Sequence, residues 1–155
     1  MGRFILSKGK NFMIINWHDP SQKISKYFTV REVTKGDPRR IPTNPVHIAN
    51  ILRLAKELDK IREEWGSAIA VTSWYRPTAV NSAIKNAAKN SQHLTGSAAD
   101  IKPVNGELLK MQKWLDTRWQ GALGYGAKKG FVHLDLRGID NQSKSIKPSK
   151  IRWNY

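Results

Sequence analysis

Four side chains in two short stretches carry the chemistry that this chain could do. "SQHLTGSAAD" sets His93 and Asp100 seven residues apart, and "FVHLDL" sets His133 and Asp135 two apart. Imidazoles and carboxylates ligate divalent cations and move protons, so either use is open to them. In the first stretch Gly96 can turn the chain and Ser97, Ala98 and Ala99 can lead it into a strand. His93 and Asp100 would then converge on one point. The bland alternative is a linker that happens to contain a histidine.

The second stretch narrows the choice. Strand alternation puts Phe131, His133 and Asp135 on one face and Val132, Leu134 and Leu136 on the other. The second face is apolar and has to be the core, so His133 and Asp135 point together into whatever cleft lies above the sheet. Left unpaired on an otherwise apolar strand, they would be costly. Two histidines and a carboxylate, with a fourth position open to water, make the ligand set of a catalytic zinc site. Cysteine is absent, which excludes thiolate zinc sites and a disulfide framework and leaves His and carboxylate to hold any metal. The remaining histidines read as surface or capping residues. Residue 51, four after His47, is isoleucine, so no HExxH helix exists.

The elements that must position these groups follow from periodicity. Asn44 as N-cap, Pro45 at the first helical position, an apolar stripe through Ile48, Ile51, Leu52, Ala55, Leu58 and Ile61, and a terminating Gly66 predict a helix over 45–65. "SAIAVTSWYRP" reads as a short buried strand stopped by Pro77, with Thr78 capping a helix through about Ala88. "AADIKP" reads as a strand. "GELLKMQKWLDTRW" reads as an amphipathic helix with Leu108, Leu109, Met111, Leu115 and Trp119 inward. "GALGYGAKKG" reads as a glycine-punctuated turn region, "FVHLDL" as a strand and "KIRWNY" as a short closing strand. Strands and helices mix without a βαβ rhythm, which predicts an α+β fold with a small antiparallel sheet flanked by helices. The 155 residues suit one domain over 1–155, with the first ten fraying and 137–150 a loop.

"SWYRPTAVNSAIKNAAKNSQHLTGSAADIKP", followed by "GYGAKKGFVHLDLRG" and a late "RW", resembles the zinc peptidases of the D-Ala-D-Ala carboxypeptidase (M15) family. The family's SxHxxGxAxD element is met in full by Ser91, His93, Gly96, Ala98 and Asp100. The resemblance implies a Hedgehog/D-Ala-D-Ala-peptidase-like fold and zinc held by His93, Asp100 and His133. It implies that Arg76 binds and polarises the scissile carbonyl, and that Ser91, Gln92 and Tyr125 contact substrate. Well-known branches of the family place an acidic residue three before the last zinc histidine, where this chain has Gly130. Asp135 is then the candidate general base, with a carboxylate that orients the His133 ring as its other reading.

Composition fits that expectation. Lys and Arg outnumber Asp and Glu by 27 to 12, a net charge of +15, which attracts polyanions. Peptidoglycan stem peptides and the anionic polymers of a bacterial wall are the expected partners. A nucleic-acid partner is not expected, because the charges form no run and five of the tryptophans lie in or beside predicted elements. No apolar run is long enough to span a membrane, and the N-terminal stretch has neither an h-region nor a cleavage site. These features predict a monomer made in the cytoplasm and acting at the wall, as a phage lysin or a virion-associated enzyme. The alternative, motivated by Gly130, is a wall-binding or virion module that retains its zinc without cutting. The two SxxK matches, at Ser7 and Ser82, lack the other elements of a serine enzyme.

Overall fold

A computed structural model of the chain describes residues 3–7, 10–139 and 151–155. The strands β1 (Arg3–Ser7) and β2 (Lys10–Ile14) form an antiparallel pair. The stretch expected to fray, residues 1–10, includes β1, while most of the loop expected over 137–150 lies outside the described residues.

Next come a short helix, α1 (Val30–Thr34), and the long helix α2 (Pro45–Trp65). The predicted bounds of α2 hold because its ends are built as the sequence implies. The Asn44 side chain accepts the Val46 N–H, Pro45 occupies the first turn, and Gly66 closes the helix at φ 78°. One face of α2 buries Ile51, Leu54, Ala55, Leu58 and Ile61.

The central sheet has five strands: β3 (Ile69–Ser73), β4 (Ala98–Pro103), β5 (Ala122–Tyr125), β6 (Val132–Asp135) and β7 (Arg152–Asn154). Their order is β3-β4-β6-β5-β7. Every pairing is antiparallel except the last, in which β7 lies parallel to β5. The fold is α+β, and the sheet is mixed at one edge. No helix among the described residues is long and apolar enough to cross a membrane.

Three local expectations give way. The helix after Pro77, α3, covers only Thr78–Ser82. Beyond it the chain turns, with Asn86 at φ 64°, and the buried Asn81 amide donates to the Ala88 carbonyl to close the loop. The glycine-rich stretch 121–130 holds strand β5, because Gly121 and Gly124 lie where neighbours come too close for a side chain. A Cβ at Gly121 would fall 2.1 Å from the Asp135 carbonyl oxygen. In α4 (Leu108–Asp116), Met111 and Leu115 are buried as expected, but Leu109 faces solvent.

The apolar side chains of α1, α2 and α4 meet Ile101, Leu123, Val132 and Leu134 of the sheet in one contiguous core, together with Phe28, Trp74 and Trp119. At roughly 25 cal/mol per Å² of buried apolar area, this core is the main stabilising term of the fold. It also fixes which way β4 and β6 face.

Candidate metal centre

Register brings the two sequence stretches together. β4 and β6 pair with Asp100 opposite His133 and with Ile101 opposite Val132. Burying Ile101, Val132 and Leu134 in the core therefore turns Asp100, His133 and Asp135 to the opposite face. His93 arrives from a different element, a 3₁₀ turn over Gln92–Thr95 capped by the Ser91 hydroxyl, which accepts the His93 N–H. That turn is tied to the core in three ways. Asn50 of α2 donates to the Thr95 carbonyl, the Trp74 indole donates to the Gly96 carbonyl, and Gly96 sits so close to α2 that a Cβ would lie 2.5 Å from Ile51 Cγ1. With φ at 76°, Gly96 meets both a steric and a conformational demand for glycine.

The result is a cluster of His93, Asp100 and His133 whose ligand atoms all lie within 4.8 Å of one another. His93 Nε2 is 3.3 Å and His133 Nδ1 is 3.0 Å from Asp100 Oδ1. The other nitrogen of each ring is engaged outside the cluster: His93 Nδ1 lies 2.6 Å from the Trp74 carbonyl and His133 Nε2 lies 2.8 Å from Asp135 Oδ2. Both partners are acceptors, so each ring commits its N–H outward and turns a lone pair inward. Two lone pairs and a carboxylate oxygen then face one point, an arrangement that calls for a cation between them. By this donor chemistry the three residues fit a zinc ion, and the outer carbonyl and carboxylate hold the rings as ligand tautomers.

Electrostatics favour the ligand forms of His93 and Asp100 and act the other way on His133. Burial pushes His93 below its ordinary value, toward the neutral ligand form. Burial would raise Asp100, but the bonds from His133 and His93 outweigh it and hold the carboxyl well below the usual carboxylate range. For His133 burial acts downward, and the two carboxylates flanking the ring reverse it to a net rise.

Asp135 is fully buried, and neither of its oxygens is idle. Oδ1 accepts from Arg137 N and Nε at 3.0 Å each, and Oδ2 takes Arg137 Nη2 at 2.9 Å as well as His133. Arg76 stands close enough to Asp100 to feel its charge, and burial lowers its pKa. Its Nη2 donates to Ser91 Oγ at 3.3 Å, and its buried Nε has no partner. Ser91 and Gln92 line a cleft of about 270 Å³ over His133, together with Ala88, Asn90, Arg137, Trp153 and Tyr155. Tyr125 does not line it, and its hydroxyl donates to Asp116 at 2.7 Å. Gly130 ends a 3₁₀ turn at φ 97° with nothing within 4 Å of where a Cβ would stand.

Of the remaining histidines, His47 is not a bare surface group, since its Nδ1 meets the Tyr75 hydroxyl at 2.8 Å. The sequence reading missed Trp153 and Tyr155 as cleft residues. Their signal was available in the aromatic spacing of "RWNY", but nothing local says which strand β7 joins.

Two comparisons with known proteins bear on this site. A family model described as Peptidase M15 matches residues 26–135, a span that runs from before α1 through the last residue of β6. No curated protein matches the chain.

Proposed function

The chain belongs to the peptidase M15 family, and from that premise we propose that it is a zinc-dependent peptidoglycan peptidase. The bond it would hydrolyse adjoins a D-amino acid in a stem peptide or cross-link. The observation that carries the metal assignment is the inward lone-pair set of His93, Asp100 and His133, with both ring N–H groups engaged outside it. Zinc held there would supply an activated water and polarise the carbonyl under attack.

The chain's own residues supply the rest. Arg76, whose guanidinium feels the Asp100 charge and reaches Ser91 Oγ, would donate to the carbonyl oxygen as its charge develops, a contribution of roughly 3 to 4 kcal/mol for one such donor. Ser91 orients Arg76 and caps the turn that carries His93. Ser91 and Gln92 would offer polar contacts to the peptide backbone from the cleft wall. The engagement of both Asp135 oxygens by Arg137 and His133 supports its role as the carboxylate that orients His133, in preference to general base. The peptidase would act as one domain over residues 1–155. Its net charge of +15 would favour the anionic polymers of the wall, where a phage lysin or virion-associated enzyme works.

A second reading keeps the zinc and drops the cutting: a wall-binding module. It draws on the glycine at 130 and on the lack of a carboxylate among the described residues lining the cleft. One experiment separates the two. Metal analysis of the purified protein, followed by mass spectrometry of wall fragments incubated with it, is expected to give one zinc per chain and new peptide termini next to a D-residue. Stoichiometric zinc with intact fragments would leave the binding module. Protein that takes up no zinc would refute both.

A further inference from the structure

The loop that leads into the metal-binding turn borders two separate spaces. It joins α3 to the 3₁₀ turn that carries His93, and its side chains divide between the two. Ala88 and Asn90 line the cleft over His133, whereas Ala87 and Lys89 line a cavity of about 420 Å³. Asn81, Ser82, Ile84 and Leu94 also line this cavity, and none of its described lining residues belongs to the cleft. Its volume falls in the range that takes a small ligand, roughly 300 to 1,000 Å³.

The polar side chains of the cavity have already committed their protons. Asn81 is buried, and its Nδ2 donates to the Ala88 carbonyl at 3.0 Å. Its Oδ1 is also buried and has no partner among the described residues. An acceptor left in that state costs free energy that a donor from a ligand would recover. Ser82 Oγ donates to the Thr78 carbonyl at 2.7 Å, which leaves its lone pairs to accept. Lys89, which is exposed, is the one charged residue among the described lining and disfavours a cationic ligand. Ile84, Ala87 and Leu94 supply apolar surface. The cavity therefore asks for a ligand that brings donors, carries no positive charge and has a small apolar group. A peptide backbone brings one carbonyl for every N–H, and Lys89 alone could not satisfy them. A sugar brings a hydroxyl proton on nearly every ring carbon, and an N-acylated amino sugar adds an amide N–H and a methyl group.

We propose that this cavity is a saccharide subsite that takes an N-acylated amino sugar. The sugar's amide N–H donates to Asn81 Oδ1, its acyl methyl packs on Ile84, Ala87 and Leu94, one hydroxyl donates to Ser82 Oγ and another accepts from Lys89. The inference rests on the wall-peptidase reading above and adds a second recognition element to it. A stem peptide still attached to its glycan would place peptide in the cleft and sugar in the cavity, with the loop between them, and so be preferred over the free peptide.

The test titrates the full chain, isotope-labelled and loaded with zinc, with an N-acetylglucosamine disaccharide, a glucose disaccharide and a free stem peptide, and follows backbone amide shifts. The N-acetylated sugar is expected to move the amides of Asn81, Ile84 and Leu94, and the glucose disaccharide to bind about tenfold more weakly. Ala87→Phe, which fills the cavity, should weaken the N-acetylated sugar by about tenfold, and Lys89→Ala by about threefold. Ala87→Phe should also bring the kcat/KM ratio for glycan-linked over free stem peptide down toward one. If Ala87→Phe does not fold, Lys89→Ala and Ile84→Ala decide by the same readings. Equal binding of the two disaccharides, shifts confined to the cleft residues, free stem peptide occupying the cavity, or variants that bind like the wild type would each overturn the subsite. Free peptide cut by a protein that binds no disaccharide would do so while leaving the peptidase reading intact. A protein that binds the N-acetylated sugar in the cavity and cuts neither peptide would keep the subsite and refute the peptidase.

Discussion

On one face of β4 and β6 stand Ala99, Ile101, Val132 and Leu134. One residue along each strand, on the other face, stand Ala98, Asp100, His133 and Asp135. All of these except Asp100 are fully or almost fully buried, so burial does not tell the faces apart. The first face meets the helices in a continuous apolar core, where each side chain stabilises through the area it removes from water. The second holds carboxylates and imidazoles against one another, with the small residues Ala98, Ala122 and Gly124 paired beside them. Buried ion pairs return little net stability once their desolvation is counted. The core face thus holds the fold together, and the polar face is a site that the fold supports.

Substitutions should separate the two faces, and they can be ordered by their expected effect on activity. His93→Ala, Asp100→Ala or His133→Ala should remove zinc and hydrolysis together. An assay pairing metal content with peptide cleavage would break the comparison if either survived alone. Arg76→Ala should retain zinc and lose about 10²- to 10³-fold in kcat, as removal of one oxyanion donor does. A wild-type rate on stem peptides would discharge Arg76 from that role. Asp135→Asn should weaken zinc binding by roughly 10- to 100-fold and leave much of the activity at saturating zinc, because it alters the grip on the His133 ring. An inactive Asp135→Asn protein with full zinc occupancy would instead make Asp135 the general base. Ile101→Ala, on the core face of the same strand, should cost about 2 to 5 kcal/mol in a denaturation experiment and leave activity per folded molecule unchanged.

The long helix was legible to the residue because its signals are local: Asn44, Pro45 and Gly66 act on their own neighbours, and the apolar stripe needs only a partner surface of some kind. The faces of "FVHLDL" were legible for the same reason, since alternation decides them before any pairing is made. Strand β5 was not legible. Its glycines look like turn residues until the Asp135 carbonyl and the Trp153 and Tyr155 rings are seen to occupy the space a side chain would need. The helix expected to reach Ala88 stopped at Ser82, where Asn81 bonds back to the loop at Ala88, a choice that helical propensity does not encode. Leu109 completed an apolar pattern that the helix left in water, because α4 is covered on one side only.

Residue type and spacing alone determined that an imidazole and a carboxylate would flank a glycine turn, that a second such pair would share one strand face, and that no thiolate could take part. Only the tertiary structure decided that Asp100 faces His133, that Asp135 gives both its oxygens to Arg137 and His133, and that a C-terminal strand lays two aromatic rings beside the site. The physical reason is range. Alternation, capping and donor chemistry act over a few residues of one chain segment, whereas register and strand order are fixed by burying apolar surface contributed from across the sequence.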